Sequence, residues 1–195
     1  MVNHDNYFKK SDLELVQLTL KNQDIFLYLI KRYEAKLLRY IQRISNVSSE
    51  DAEDLLQEVF IKVYLKLNDF DQDLKFSSWV YRITHNQVIS NYRKLKARPQ
   101  IIYLDPDDNL LNNIIFDLNM AEEVDRVYLR ENIFKILNQL ERKYKEALVL
   151  KFLEEKNYRE ISDILKKPIG TVGTLINKGK KKFKEELDRE IINLQ

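Results

Sequence analysis
The chain has 195 residues, three glycines, three prolines, no cysteine, and 33 Lys and Arg against 31 Asp and Glu for a net charge of +2. That length holds one ordinary domain or two small ones, and the absence of cysteine excludes disulfides and thiolate metal sites and fits a reducing compartment. No apolar run approaches the roughly 18 residues of a membrane span, and the leading "MVNHDNYFKKSDLELVQ" lacks the apolar core of a signal peptide, so the expected location is the cytoplasm.

So few chain breakers argue against strand-and-turn architectures, and the apolar spacing is helical nearly throughout. Ser11 and Glu14 predict a capping box ahead of "LELVQLTL". A second helix is expected from near Asp24 to about Ile44, and the loop "SNVSSED" offers Ser48 and Ser49 as N-caps for a third. In that third helix Ala52, Leu55, Leu56, Val59, Phe60, Val63 and Leu67 recur with helical spacing and define a core stripe. Asp54, Gln57, Glu58, Ile61, Tyr64 and Leu65 lie off the stripe. Acids beside apolar side chains suit a mixed protein interface, in which the apolar groups anchor and the acids steer. A tighter bundle that buries this face internally is the competing reading.

"NDFDQDLKF" is a turn-rich loop, and a fourth helix is predicted from near Ser77 to before Pro99, since the residue preceding proline avoids the helical region. Arg82, His85, Asn86, Ile89 and Arg93 share one face of it, next to a loop that holds Phe70, Lys75 and Phe76. Cations beside aromatic rings can hold unpaired bases. Trp79 clusters with Val80 and Ile83 and is assigned to the core. From about Ala97 the helical pattern fails, with Pro99, Pro106 and "NLLNN", and it resumes near Glu122. Asp105, Asp107 and Asn109 occupy the first three ligand positions of a calcium loop, but Leu110 stands where glycine belongs and Phe116 where the closing glutamate belongs, so calcium is rejected.

The fold predicted is all-α: two small helical domains over 8–96 and 122–190, joined by an acidic flexible linker over 97–121. A single bundle with one long loop is the alternative. Charge follows this division. Residues 82–98 carry five Lys and Arg and no acid, residues 101–125 seven acids and no base, and residues 178–184 five lysines and no acid. Two basic blocks separated by an acidic one suggest separate partners.

Near the end of the chain, "YREISDILKK" places Tyr158, Ile161, Ile164 and Leu165 on one face, with Pro168 as its expected stop and Thr171 as the expected cap of the next helix. There Val172, Leu175, Ile176, Gly179 and Phe183 form a second buried stripe, opposite Gly173, Thr174, Asn177, Lys178, Lys181 and Lys182. A short helix, a tight turn and a helix with a polar leading end follow helix-turn-helix logic: the leading end enters the major groove and lysines further along meet phosphates. A solvated terminal helix with a charged tail is the plain alternative.

Two stretches carry a family resemblance. "YREISDILKKPIGTVGTLINKGKKKF" resembles the second conserved region of bacterial sigma factors of the small extracytoplasmic-function (ECF) type. "SSEDAEDLLQEVFIKVYLKLNDFDQDLKFSSWVYRITHNQVISNYRK", with its pieces "DAEDLLQEVF" and "FSSWVYRITHN", is similar to the first. The resemblance implies that Asp54, Gln57, Glu58, Phe60 and Tyr64 bind the clamp helices of the largest subunit of core RNA polymerase. It implies that residues 68–76, Phe70, Lys75 and Phe76 among them, act with Arg82, His85, Asn86 and Arg93 on the minus-10 promoter element. Thr171, Gly173, Thr174, Asn177, Lys178, Lys181 and Lys182 match positions that face minus-35 DNA, and the acidic linker matches a segment that threads the basic RNA-exit path. Core polymerase and promoter DNA are the partners expected, an anti-sigma factor is a further candidate, and no cofactor or metal is expected. The sequence departs from the family where Gly173 replaces a basic residue, Leu175 an arginine and Gly179 an alanine.

An enzyme is disfavoured, because the chain has two histidines, no cysteine and no Gly-rich phosphate loop. The serious rival is a helix-turn-helix regulator that binds DNA without polymerase. It would use the C-terminal helices and would not need the face around Asp54. A helical adaptor that binds only protein is the third class, and the basic helices argue against it.

Overall fold
The computed structural model describes residues 5–45, 47–95 and 126–192. Every regular element among them is helical, and they fall into two compact units. The acidic stretch over 97–121, with Asp105, Asp107, Asn109, Leu110 and Phe116, lies outside the described residues.

In the first unit, α1 (Asp5–Phe8) leads into α2 (Asp12–Thr19). The Ser11 hydroxyl accepts from the Glu14 N–H at 3.3 Å while the Glu14 carboxylate accepts from the Ser11 N–H at 2.8 Å, the capping box expected from sequence. Asn22 caps a 3-10 turn at Gln23–Ile25, and α3 (Phe26–Ile44) follows directly. Arg32 of α3 pairs with Asp12 at 2.7 Å and donates to the Lys10 carbonyl at 2.7 Å, which ties the N-terminal helices down. The Tyr33 hydroxyl donates to Asp12 at 2.5 Å; burial first, then the Asp12 charge, hold that phenol far above its usual range, so it stays a donor.

Ser48 caps α4 (Ser49–Leu65), accepting from the Asp51 N–H at 3.1 Å. Ala52, Leu55, Val59, Val63 and, just past the helix end, Leu67 are buried as the spacing predicts, whereas Leu56 and Phe60 are half-buried at the stripe's margin. After a 3-10 turn at Leu67–Asp69, α5 (Phe76–Leu95) closes the unit. α3 packs against both α4 and α5, around Leu29, Leu37, Ile41, Val59 and Val80. Each such side chain contributes roughly 1.5–3 kcal/mol by leaving water. One end of this core is aromatic: Phe70 lies 5.3 Å from both Phe76 and Trp79, and Tyr33 5.7 Å from Phe76. Trp79 is a core residue, as expected.

The second unit holds α6 (Arg126–Gln139), α7 (Arg142–Leu148) continued by a π-helical turn at Val149–Leu153, the larger part of α8 (Tyr158–Leu165), and α9 (Ile169–Ile192). α9 lies along α6 and α7. Val172, Leu175, Ile176, Gly179 and Phe183 are all buried, and Leu187 extends their stripe. Gly179 permits a close approach: a Cβ there would stand 3.1 Å from Leu148 Cγ.

Two helix boundaries differ from the sequence reading. α8 stops at Leu165 before it reaches Pro168, because Lys166 turns left-handed at φ 52° and the Ser162 hydroxyl and carbonyl bond to Lys167. A non-glycine residue there costs roughly 1–2 kcal/mol, offset by those closing bonds. α9 then begins at Ile169, so Thr171 is its third residue and not its cap. Proline lacks the N–H that a helix start leaves unpaired, and the Pro168 carbonyl accepts from the Val172 N–H at 3.0 Å. Tyr158, expected on the buried face, is 40% exposed, because it occupies the first position of α8 under the Lys151 ammonium.

Lys145 of α7 is buried, with its ammonium donating to Asn138 Oδ1 at 2.6 Å. Burial pushes its pKa down to about 8 from an ordinary 10.5, against the opposing pull of Glu146. The unfolded chain holds this proton up to the ordinary value and the folded unit releases it near pH 8. The cost of the buried charge is therefore fully present below pH 8 and fades as pH rises toward the ordinary lysine value. Lys145→Met should flatten that rise and stabilise the unit at pH 7 by about 1–3 kcal/mol, measured by urea denaturation of both chains across this range.

Candidate protein and nucleic-acid interfaces
The outer face of α4 is built by what its inner face does not use. With the core stripe filled, Asp54, Gln57, Glu58, Ile61, Tyr64 and Leu65 are all exposed, Ile61 to 58% and Leu65 to 71%. Those two values rule out, for the first unit itself, the tighter bundle that would bury this face. Tyr64 leans on α3, its ring 5.1 Å from Phe26 and its hydroxyl 3.3 Å from Gln23 Oε1, and Phe60 meets Phe26 edge-on at 6.4 Å. Both rings thus serve the α3–α4 seam while keeping one side outward.

Glu58 has a partner that the sequence reading missed. Gln87 of α5 donates its amide N–H to Glu58 and accepts from the Lys62 ammonium. Gln87 is buried. The available signal was its position, since Val80, Thr84 and Gln87 share the inward side of α5 at i, i+4 and i+7, and a glutamine on a buried stripe must find partners.

On α5 the structure separates the predicted residues. Asn86 and Arg93 are exposed, Arg82 and Ile89 half-buried, and Lys75 is exposed just before the helix. His85, expected on the same open face, is only 9% exposed and offers little surface to a ligand. Phe70 and Phe76 need a correction as well. Expected as loop rings that stack on bases, both are buried in the aromatic cluster with Trp79, because two adjacent apolar rings gain more from a core than from solvent. They shape the loop from beneath. Tyr92, exposed to 51%, is the aromatic side chain that α5 does present; it stands three residues after Ile89 on the basic face, a spacing visible in the sequence.

In the second unit the leading part of α9 presents Thr171, Thr174, Asn177, Lys178 and Lys181 to solvent, with Gly173 and Lys182 half-buried. Thr174 returns its hydroxyl hydrogen to the Gly170 carbonyl at 2.9 Å, which leaves its oxygen lone pairs and methyl outward. Lys182 stands 3.9 Å from Glu141 and 5.8 Å from the Tyr144 ring centroid, and Lys181 3.9 Å from Glu185. The Lys143 hydrogen bond holds the Glu141 carboxyl below its usual value, so Glu141 stays charged beside Lys182. Neutral hydrogen-bonding groups at the start of the helix followed by cations is the order that base reading and phosphate contact require. Among the described residues no group of His, Asp or Glu could hold a metal ion, and no helix is long and apolar enough to cross a membrane.

Comparison with known proteins agrees with this division. Residues 29–98 match the family model Sigma-70 region 2, and residues 130–183 match Sigma-70, region 4. The ECF RNA polymerase sigma factor SigW of Bacillus subtilis (strain 168) is 33% identical over 179 residues, 88% of this chain and 93% of that protein. The ECF RNA polymerase sigma-E factor of Escherichia coli (strain K12) is 29% identical over 172 residues, 85% of this chain and 88% of that protein. Of solved structures, CnrH in complex with the cytosolic domain of CnrY aligns with 92% of this chain and 99% of its own at TM-score 0.68 and 22% identity. RpoE in complex with the anti-sigma factor NepR from Bartonella quintana aligns with 84% and 96% at TM-score 0.65 and 19% identity. These two share the fold.

Region 2 on the first helical unit and region 4 on the second define a sigma-70 type of transcription factor. Within that class the chain belongs to the ECF sigma factors, which direct RNA polymerase.

Proposed function
We propose that this sigma factor docks on the clamp helices of core RNA polymerase through the outer face of α4, opens the minus-10 element along α5, and reads the minus-35 element with the leading end of α9. The units would span 8–96 and 122–190, with the acidic tether over 97–121 occupying the basic RNA-exit path. One observation carries the reading: a fully formed core stripe on α4 coexists with exposed Ile61 and Leu65 beside Asp54, Gln57 and Glu58. Acids around apolar anchors favour a protein partner with basic and apolar surface. A helix-turn-helix regulator acting alone has no use for this face. On α5, Asn86, Arg82 and Arg93, with Lys75 just before the helix, supply hydrogen bonds and charge for a displaced strand, while buried Phe70 and Phe76 support the loop over 68–76. RpoE from Bartonella quintana was solved with the anti-sigma factor NepR and CnrH with the cytosolic domain of CnrY, so an anti-sigma factor is a candidate partner of this chain too.

The deciding experiment mixes the purified chain with core polymerase on a promoter library. Initiation at defined sites that needs both components supports the reading; site-specific DNA binding without any core association supports the lone regulator. Within the initiating complex, Asn86→Ala should lower the reactivity of minus-10 bases to a single-strand-selective probe several-fold, the scale of one lost hydrogen bond of about 1 kcal/mol. Closed-complex affinity should hold. Loss of closed-complex affinity with normal opening would place Asn86 elsewhere.

A further inference from the structure
We infer that Gln87 is a positioning residue for polymerase binding: its buried amide, set between Glu58 and Lys62, holds the Glu58 carboxylate in place on the docking face of α4. The inference rests on the reading of that face given above.

Glu58 and Lys62 are four residues apart on one helix with the acid first, the spacing at which such residues commonly pair with each other directly at the surface. In this chain α5 intervenes. Gln87 Nε2 donates to Glu58 Oε2 and Gln87 Oε1 accepts from Lys62 Nζ. A primary amide has one donating and one accepting end, so the opposite charges on either side fix its orientation; a flipped amide would set oxygen against carboxylate and N–H against ammonium. Gln87 is only 6% exposed, and its neighbours Thr84 and Val88 are buried as well. Thr84 spends its hydroxyl on the Val80 carbonyl at 3.0 Å. The amide is thus held by packing, and through it two long, otherwise mobile side chains are held in single conformations.

Glu58 is nonetheless exposed, so the carboxylate that Gln87 steadies still faces outward. A contact that is ordered before the partner arrives loses less freedom on binding, and removing the support weakens the complex without removing the contact. Gln87 itself need touch nothing on the polymerase.

The test measures affinity of the full chain for core polymerase in a double-mutant cycle. Glu58→Ala should weaken binding, because it removes the contact. Gln87→Met, close in length and volume but unable to bond either partner, should weaken it about tenfold, the scale of control exerted by one charge-assisted hydrogen bond. Placed on Glu58→Ala, Gln87→Met should cost nothing further, since there is no carboxylate left to position. Gln87→Glu keeps an acceptor for Lys62 but turns a like charge on Glu58, and should lose at least as much as Gln87→Met. If Gln87→Met does not fold, Gln87→Asn, one methylene too short to span both partners, takes its place. Wild-type affinity for the Gln87 variants, or a loss that simply adds to that of Glu58→Ala, overturns the inference while α4 remains the docking face. Unchanged affinity for Glu58→Ala overturns the α4 reading and the inference with it.

Discussion

Asp54→Lys should weaken the association of this sigma factor with core RNA polymerase by at least tenfold and leave its helicity and melting temperature unchanged. Asp54 is exposed on α4, one turn before Glu58, and away from the buried stripe of Ala52, Leu55 and Val59. Surface substitutions of this kind change stability by less than about 0.5 kcal/mol. Reversal replaces attraction to a basic partner with repulsion, and its effect falls first on the association rate. The loss should therefore shrink as salt rises toward 0.5 M, where charges more than about 4–5 Å apart are screened. Competition for core enzyme against a labelled wild-type chain, at low and high salt, provides the measurement. Undiminished competition at low salt would remove Asp54 from the interface. A loss equal at both salts would point to a packing defect, for which Asp54 has no structural reason.

What the sequence revealed and what it concealed divide along one physical line. Local chemistry was legible. Ser11 with Glu14 and Ser48 with Asp51 form the predicted caps, because a cap needs only residues a few positions apart. The stripes of α4 and α9 were legible because helical periodicity states which residues share a face. Legibility ended where the answer depended on a neighbouring helix. Phe70 and Phe76 could sit under the loop or upon it, and only the presence of Trp79 and Tyr33 within 6 Å decides for the core. His85 and Asn86 are adjacent in sequence, yet one is buried and the other open, because α5 is covered along one side. The position of Gln87 on a buried stripe called for partners, but which partners was not legible until α4 placed Glu58 and Lys62 on either side of it. The start of α9 was missed for a different reason: Thr171 is a good cap by type, but Lys166 closes α8 early enough for the next helix to begin directly after Pro168.

The second large effect concerns the division of work proposed for α9, between bases and phosphates. Lys178→Ala and Lys181→Ala should each reduce the salt slope of promoter binding by about one unit and weaken all DNA sequences alike, the result expected of the phosphate contact proposed for each. Lys182→Ala should do less: Lys181 and Lys182 each have an acid at 3.9 Å, but the Lys181 side chain is 82% exposed, whereas that of Lys182 is 44% exposed and must also leave the Tyr144 ring to reach a phosphate. Thr174→Ala and Asn177→Ala should instead change which minus-35 sequence is preferred. Asn177 has the larger part, since its amide both donates and accepts, whereas Thr174 has returned its hydrogen to Gly170. A mismatched base pair costs about 1–3 kcal/mol in such interfaces, and that discrimination should largely vanish at the positions these two side chains meet. Gly173→Lys supplies the opposite change. A Cβ at that position would find only Tyr158 Cε2 at 3.9 Å, an ordinary contact, so the site has room. The new side chain removes the roughly 1 kcal/mol helix penalty of glycine and adds a cation at the groove, so affinity and salt slope should both rise. Selection from randomised DNA by the reconstituted holoenzyme, repeated with each variant at two salt concentrations, separates the two classes. If the Thr174 and Asn177 variants select the same bases as the parent chain, the leading end of α9 does not read the promoter, and the lysines behind it are left as a sequence-blind clamp.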